Sequence, residues 1–445
     1  ILKFIEMFAN IKRGGVILSG KKIAIIGAGA KAAAIVVRAT ALNESKQFHE
    51  VSVDIYEKFQ VGSSWNGLHG YTDGEQPLCT PIERDLGYPY TRARQKIGVS
   101  IHENYSWSSY LISRADKAFV EWVDGGRRPP SHALFAEYLT WAINKSDANL
   151  ILKEVIGLQP VKGRWRVRCR AGSTNRLSKN SYDSIVVTGP GPANRVKAPG
   201  GVARVFDGEK MWMALDEVRS ALEETRPGQD MEGKIAILGA GGTAAAILAW
   251  LVRNGCKDRE IIIISQQPAF YTRGDSVFEN RLFNDEDSWA SLPRESQIEF
   301  ADRLNRGVVW STVMDQVSVA RGVKFVFGKA EEVLERDGSL FVNVARSDGP
   351  PIDVPANIVF DAVGFNGVWW LDLIEDDEIR AANGNELKKL LQASILPSLM
   401  LDGPDWKLPP LYAPMLASTI GLGFQSLMSL GGLAHRILEG HLTEL

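Results

Sequence analysis

Hydrophobic and polar positions fall twice into the same order along the chain. Ile23 to Ile26 is a short apolar run with the character of a buried strand. It meets Gly27-Ala28-Gly29, and a small-residue helical pattern follows through Ala34. Ile235 to Leu238 meets Gly239-Ala240-Gly241-Gly242 in the same way, with Thr243 to Ala246 opening the next helix. Each copy is a strand ending in a tight turn that opens a helix. Glycines there let the backbone approach a pyrophosphate, and the helix N-terminus offers free N–H groups at the positive end of its dipole. Two such units about two hundred residues apart predict two dinucleotides, one per domain.

The pattern after the first turn strengthens it. Val51 to Glu57 reads as the next strand, with Glu57 at its tip as the ribose acid, although the spacing exceeds the usual ~20 residues. The polar stretch Asn43 to Glu50 accounts for the extra length. Lys31 and Ala32 occupy the region where a third glycine is usual. After the second turn, the strand Ile261 to Ile264 ends in Ser265-Gln266-Gln267 rather than an acid. An acid would repel a 2′-phosphate, whereas a neutral tip with Arg273 nearby tolerates one, which favours NADPH over NADH.

Between the two units the periodicity predicts helices over Tyr105 to Val123 and His132 to Ile143, whose aromatic stripes are core faces first. Short strands are expected at Asn149 to Val155, Trp165 to Cys169 and Ser184 to Thr188, the last running into Gly189-Pro190-Gly191. A helix is expected over Glu209 to Thr225. Asn357 to Phe365 reads as a strand and glycine turn returning the chain to the first unit. Gly421 to Leu438 reads as a glycine-rich entry to an apolar helix, whose N-terminus either faces a flavin or simply packs.

Composition narrows the class. At 445 residues, two or three domains are expected, and the charge of −2 argues against a nucleic-acid or membrane-surface binder. No apolar run approaches the ~20 residues of a spanning helix. Ile1 to Leu18 is amphipathic and broken by charges, which suits a leader helix rather than a signal peptide. Cys79, Cys169 and Cys256 are far apart and the six histidines show no ligand spacing, so neither a redox dithiol nor a metal site is encoded. The cytoplasm is the expected compartment.

A flavin with a nicotinamide cofactor admits several reactions. A disulfide reductase needs a paired cysteine, and none exists. Baeyer–Villiger-type monooxygenases carry an FxGxxxHxxx(W/Y/F) stretch between the glycine units; Arg204 to Trp212 has no histidine. An NADPH-driven oxygenase of another kind, or a plain reductase, remains.

Four stretches sharpen this: Tyr71-Thr72-Asp73-Gly74, Leu78 to Tyr90 (LCTPIERDLGYPY), Tyr105 to Ile112 (YSWSSYLI) and Thr272 to Asp285 (TRGDSVFENRLFND). Together they resemble the microbial amine N-hydroxylases of siderophore pathways, above all the L-lysine N6-monooxygenases of mycobactin- and nocobactin-type clusters. The resemblance implies an α/β fold with two Rossmann-like domains, for FAD and NADPH, and a small, mainly helical substrate region. It implies N-hydroxylation of a side-chain amine through a C4a-hydroperoxyflavin, with a lysine-like amine and O₂ as small-molecule partners and no nucleic acid, membrane or metal. A homo-oligomer is compatible with it.

The resemblance places the FAD turn on Gly27, Gly29 and Lys31, with Glu57 as the ribose acid and Trp65 in the next loop. It places the NADPH turn on Gly239, Gly241, Gly242 and Thr243, with Arg273 nearby. Asn280 matches the substrate asparagine of the family's F-E-N element, and Asn305 a second, more loosely. The lysine that pairs with the substrate carboxylate is Arg84 here; arginine can hold a carboxylate bidentately with different reach, so substrate identity is more open than reaction type. Surface pairing of Arg84 with Glu83 or Asp85 is the alternative. The expected division is a leader at 1–20, FAD domain at 21–195, connection at 196–230, NADPH domain at 231–350 with the substrate insertion near 271–320, and a second FAD part with a flavin and substrate region at 351–445. Ornithine or another amine, and an uncoupled NADPH oxidase or non-catalytic relative, stand as alternatives.

Overall fold

The computed structural model describes residues 20–69, 71–90, 95–114, 116–171, 174–200, 204–226, 233–273, 276–305, 308–376, 390–402 and 408–444. The leader segment lies outside them, apart from Gly20.

Two five-stranded parallel sheets carry the two glycine turns. In the first, β1 (Lys21–Ile26) leads through α1 (Ala30–Ser45) to β2 (Val51–Glu57), with β3 (Asn149–Leu152) and β4 (Ser184–Val187) supplied later. The order is Leu411–Tyr412, β4, β1, β2, β3, and every pair is parallel. α1 is buried on all sides from Ala30 to Leu42, which is why its sequence is a run of small and apolar residues without an amphipathic stripe.

The second sheet holds β5 (Val205–Asp207), β6 (Ile235–Leu238), β7 (Ile261–Ser265), β8 (Val323–Phe327) and β9 (Ile358–Asp361), with α2 (Gly242–Leu251) after β6. Its order is β8, β7, β6, β9, β5, again parallel throughout. One face of β6, β7 and β9 (Ile235, Ile237, Ile261, Ile263, Phe360) packs among the helices. The other face (Ala236, Leu238, Ile262, Ile264, Val359) packs against a three-stranded antiparallel sheet of Lys329–Arg336, Ser339–Ala345 and Ile352–Ala356. Burial on both faces requires the unbroken Ile261 to Ile264 run.

The expected division needs two corrections. The stretch 196–230 is more than a connection, because β5 forms the edge of the second sheet and Met211, Trp212, Val218 and Leu222 enter its core. Residues 352–361 belong to the second unit as well, and among the described residues the chain rejoins the first sheet at Leu411–Tyr412. A strand followed by a glycine turn has the same pattern in either sheet, so the sequence alone does not say which sheet receives it. The predicted helix Tyr105 to Val123 is three elements: Gln95–Tyr105, Trp107–Ser113 and Ala118–Asp124. Ser106 makes the first break, its side chain accepting the Ser109 N–H as an N-cap. Glu209 to Thr225 likewise divides into Lys210–Met213 and Leu215–Glu224.

Candidate active site

Each turn is built around one glycine at which any side chain would strain the backbone. Gly27 has φ +98°, and a Cβ there would lie 2.8 Å from Thr188 Oγ1. Thr188, just past β4, donates that hydroxyl to Ile26 O at 2.9 Å, closing the neighbouring strand end onto the turn. In the second unit Gly239 has φ +103°, and its Cβ would lie 2.6 Å from Ala362 O, just past β9. β9 thus serves the second turn as β4 serves the first.

The second glycine of each turn has a different task. Gly29 and Gly241 are the N-caps of α1 and α2, neither helix has a side-chain cap, and neither carries an acid in its first turn. Nothing lies within 4 Å of a Cβ built on Gly29. That is an open cradle of the kind a pyrophosphate occupies.

Glu57 sits at the tip of β2, its Oε2 accepting Ala28 N–H at 2.8 Å and its Oε1 accepting Phe59 N–H at 3.0 Å. The carboxylate is therefore fixed beside the turn. Lys31 is buried in the first turn of α1, and its Nζ donates to Gln425 O at 3.1 Å. Its charge is held at the cradle rather than in solvent.

A single cleft of about 690 Å³ joins the two turns. Its lining includes Gly27, Gly29, Lys31, Glu57 and Trp65 from the first unit, and Gly241, Gly242 and Thr243 from the second. The residues present fit two dinucleotides on chemical grounds: two uncapped helix N-termini, a fixed acid at the first and no acid at the tip of β7. Arg273 ends a short strand, Tyr271–Arg273, paired with Val308–Trp310, and Asn305 ends the turn of helix Ala301–Asn305. The side chains of both lie outside the described residues.

Beyond the cleft lies a second cluster, formed by Phe283, Trp289, Leu422 and Met428. Arg84 reaches it by donating from Nη1 to Met428 Sδ at 3.2 Å, with its guanidinium 5.3 Å from the Tyr88 ring centre. Arg84 makes no ion pair with Glu83 or Asp85. Asp85 is buried and instead accepts from the Tyr90 hydroxyl at 2.6 Å and from the N–H groups of Trp107 and Gly87. Burial pulls the Arg84 guanidinium below its ordinary range and pushes Asp85 up to about 6. Tyr88 ties this arginine to the F-E-N segment, because its hydroxyl accepts Asn284 Nδ2 at 3.0 Å. Asn280 lies half-buried on the short helix Val277–Arg281 just before Asn284, and the residues after that helix enter the cluster. Gly423 presses against Phe283, where a Cβ would lie 2.1 Å from the carbonyl oxygen. Arg84 and the Asn280 segment thus meet around Met428, while neither residue lines the cleft itself.

The C-terminal stretch divides its roles. The helix Leu430–Glu439 does not present its N-terminus to the cleft: Gly431 N–H donates to Tyr88 O at 2.7 Å. The turn before it reaches the cleft, through Gln425, Ser426 and Leu427. Sequence reasoning missed Gln425, His132, Thr188 as the lock on Gly27, and Asn284. Each depends on a partner dozens to hundreds of residues away, so no local spacing marks it.

Comparisons with known proteins agree with this geometry. A family described as L-lysine 6-monooxygenase/L-ornithine 5-monooxygenase matches residues 100–318. L-lysine N6-monooxygenase MbtG of Mycobacterium tuberculosis is 30% identical over 434 residues, 94% of each chain. MbtG of Mycolicibacterium paratuberculosis is 29% identical over 429 residues, again 94% of each. Among solved structures, the lysine monooxygenase NbtG from Nocardia farcinica superposes with a TM-score of 0.76 at 28% identity, covering 95% of this chain and 100% of that one. The ornithine N-hydroxylase KtzI of Kutzneria sp. 744, solved with reduced FAD, NADP⁺ and L-ornithine, gives 0.66 at 18% identity over 95% and 99%, a likeness of fold.

Proposed function

Because the chain belongs to the family of L-lysine and L-ornithine monooxygenases, we propose that it N-hydroxylates the side-chain amine of L-lysine, using NADPH and O₂, to supply hydroxamate precursors for siderophores. The observation that carries this reading is the shared cleft: two glycine turns with different strand tips open into one space, and a half-buried arginine without a carboxylate partner among the described residues sits just beyond it. Lysine is preferred to ornithine because the relatives matched along nearly the whole chain carry that activity in their names. The cytoplasm, where NADPH is regenerated, is the proposed compartment.

When bound, FAD supplies the oxygen-activating redox chemistry and NADPH the electrons. The chain's own part is positional and electrostatic. The α1 N-terminus and Lys31 hold the first pyrophosphate, and Glu57 takes ribose hydroxyls. The α2 N-terminus, with Thr243, holds the second, and the acid-free tip at Ser265 with Arg273 admits a 2′-phosphate. Arg84 holds the amino-acid carboxylate, and Asn280, with Asn305, orients the side chain toward the cleft. A free lysine amine has a pKa of ~10.4. Its attack needs the neutral form, which a partly dehydrated site favours. Excluding water also protects oxygen activation from fruitless peroxide release.

Turnover with L-lysine, L-ornithine and cadaverine tests the reading. L-lysine is expected to give the highest kcat/KM, and cadaverine, which lacks the carboxylate for Arg84, to show a raised KM. A preference for ornithine or cadaverine over lysine would overturn the substrate assignment.

A further inference from the structure

His132 stands at the start of the helix His132–Lys145 and is only 3% exposed, yet it lines the cleft. Its Nδ1 lies 2.9 Å from Thr72 Oγ1. Its Nε2 is buried and has no hydrogen-bond partner among the described residues. Trp65 stands edge-on at 4.8 Å between ring centres, and an aromatic wall is at best a weak partner for an N–H. Buried polar atoms in native proteins are nearly always hydrogen-bonded, so an orphan bordering a cofactor-sized cleft marks a ligand contact.

We assign the tautomer from Thr72. Its hydroxyl oxygen already accepts Gly74 N–H at 3.3 Å, and its own hydrogen has one acceptor among the described residues, His132 Nδ1. With Nδ1 accepting, the ring proton sits on Nε2. Burial pulls the imidazole pKa down to about 3, so the ring stays neutral. The Trp65 loop fixes which dinucleotide is met, since Gly62 N–H donates to Ala28 O at 3.0 Å, at the first glycine turn.

We propose that His132 is a cofactor-positioning residue whose Nε2–H donates a hydrogen bond to an acceptor atom of the dinucleotide held at the first turn, the flavin dinucleotide. The relay Gly74 N–H to Thr72 to His132 thus ends in a neutral donor with its direction set in advance. The inference rests on the reading of the first turn as the FAD site.

Two isosteric substitutions separate this role from a structural one. A glutamine places its amide nitrogen near the position of Nε2, while an asparagine places its amide near Nδ1. H132Q keeps the cleft donor and gives up Thr72; H132N does the reverse. FAD is titrated into each apoprotein and followed by flavin fluorescence, with NADP⁺ affinity and apoprotein melting as controls for folding. The expected result is an FAD affinity about tenfold weaker in H132N, near wild type in H132Q, and NADP⁺ affinity unchanged in both. The wild-type protein labelled with ¹⁵N-histidine should show the Nε2–H tautomer, with hydrogen exchange slowed on FAD binding.

If H132N binds FAD as wild type does while H132Q fails, or if only NADP⁺ binding suffers, the proposal is overturned. If wild-type apoprotein takes no FAD, the reading of the first turn fails instead.

Discussion

Gly27 and Gly29 are two residues apart and respond differently to the same methyl group. At Gly27 the backbone is left-handed and Thr188 blocks the space, so Gly27→Ala strains the turn itself. At Gly29 the backbone is extended and the space is open, so Gly29→Ala is tolerated by the chain and narrows the open cradle instead. Melting of the apoprotein is expected to fall by several degrees in G27A and hardly at all in G29A, while both lose FAD affinity about tenfold or more. Arg84 gives a second prediction at this scale. Replacing it with methionine should raise the KM for L-lysine about 10- to 100-fold, as expected for a lost charge-assisted contact. Flavin reduction by NADPH without lysine should keep its rate; equal loss of both would mean that Arg84 serves the fold. Glu57 and the glycines were legible in the sequence because a nucleotide turn is a local object. Thr188, Gln425 and His132 were not, because each acquires its role from a partner brought in by another strand or loop.

Among the elements, the loop from Leu78 to Tyr90 connects the cleft to the cluster around Met428, and Asp85 anchors it. Its buried carboxylate takes the Trp107 N–H at the start of a helix and the hydroxyl of the half-buried Tyr90. Burial raises Asp85 from its ordinary 3.8 to about 6, so between those values the folded chain holds a proton that the unfolded chain has released. Stability from this group therefore falls as pH rises from about 4 to about 6 and is flat above. The melting temperature of wild type relative to Asp85→Asn should decline across that window and stay constant from pH 7 to 8. A rising difference would reverse the assigned direction. The strands of the two turns were readable as elements, but the sheet that receives Ile358–Asp361 was not, since a strand ending in a glycine turn has the same pattern in either sheet. The break at Ser106 was overlooked because an N-cap serine inside an aromatic stripe does not disturb its periodicity.

On the scale of the whole molecule, polar side chains join the two units beside the cleft. Arg253, just beyond α2, forms an ion pair with Asp73 and reaches Gln76 Oε1 at 3.4 Å, both in the first unit, while also contacting Gln316 Oε1 at 3.2 Å in its own. Such a pair contributes at most about 1 kcal/mol to stability. Its larger effect is on where the second turn stands relative to the first. Arg253→Ala should leave melting nearly unchanged and raise the KM for NADPH about two- to fivefold; a large loss of melting with an unchanged KM would make it a folding contact. The two-unit architecture was evident from the duplicated glycine pattern, whereas this contact joins residues 180 positions apart and leaves no trace in either motif.

The central claim is that electrons from NADPH end in an N–O bond on L-lysine. Purified protein loaded with FAD, given NADPH, O₂ and L-lysine, should form hydroxylamine in a nearly one-to-one ratio to NADPH consumed, with little H₂O₂. NADPH oxidation that yields only H₂O₂ with lysine and every other amine supplied would contradict it.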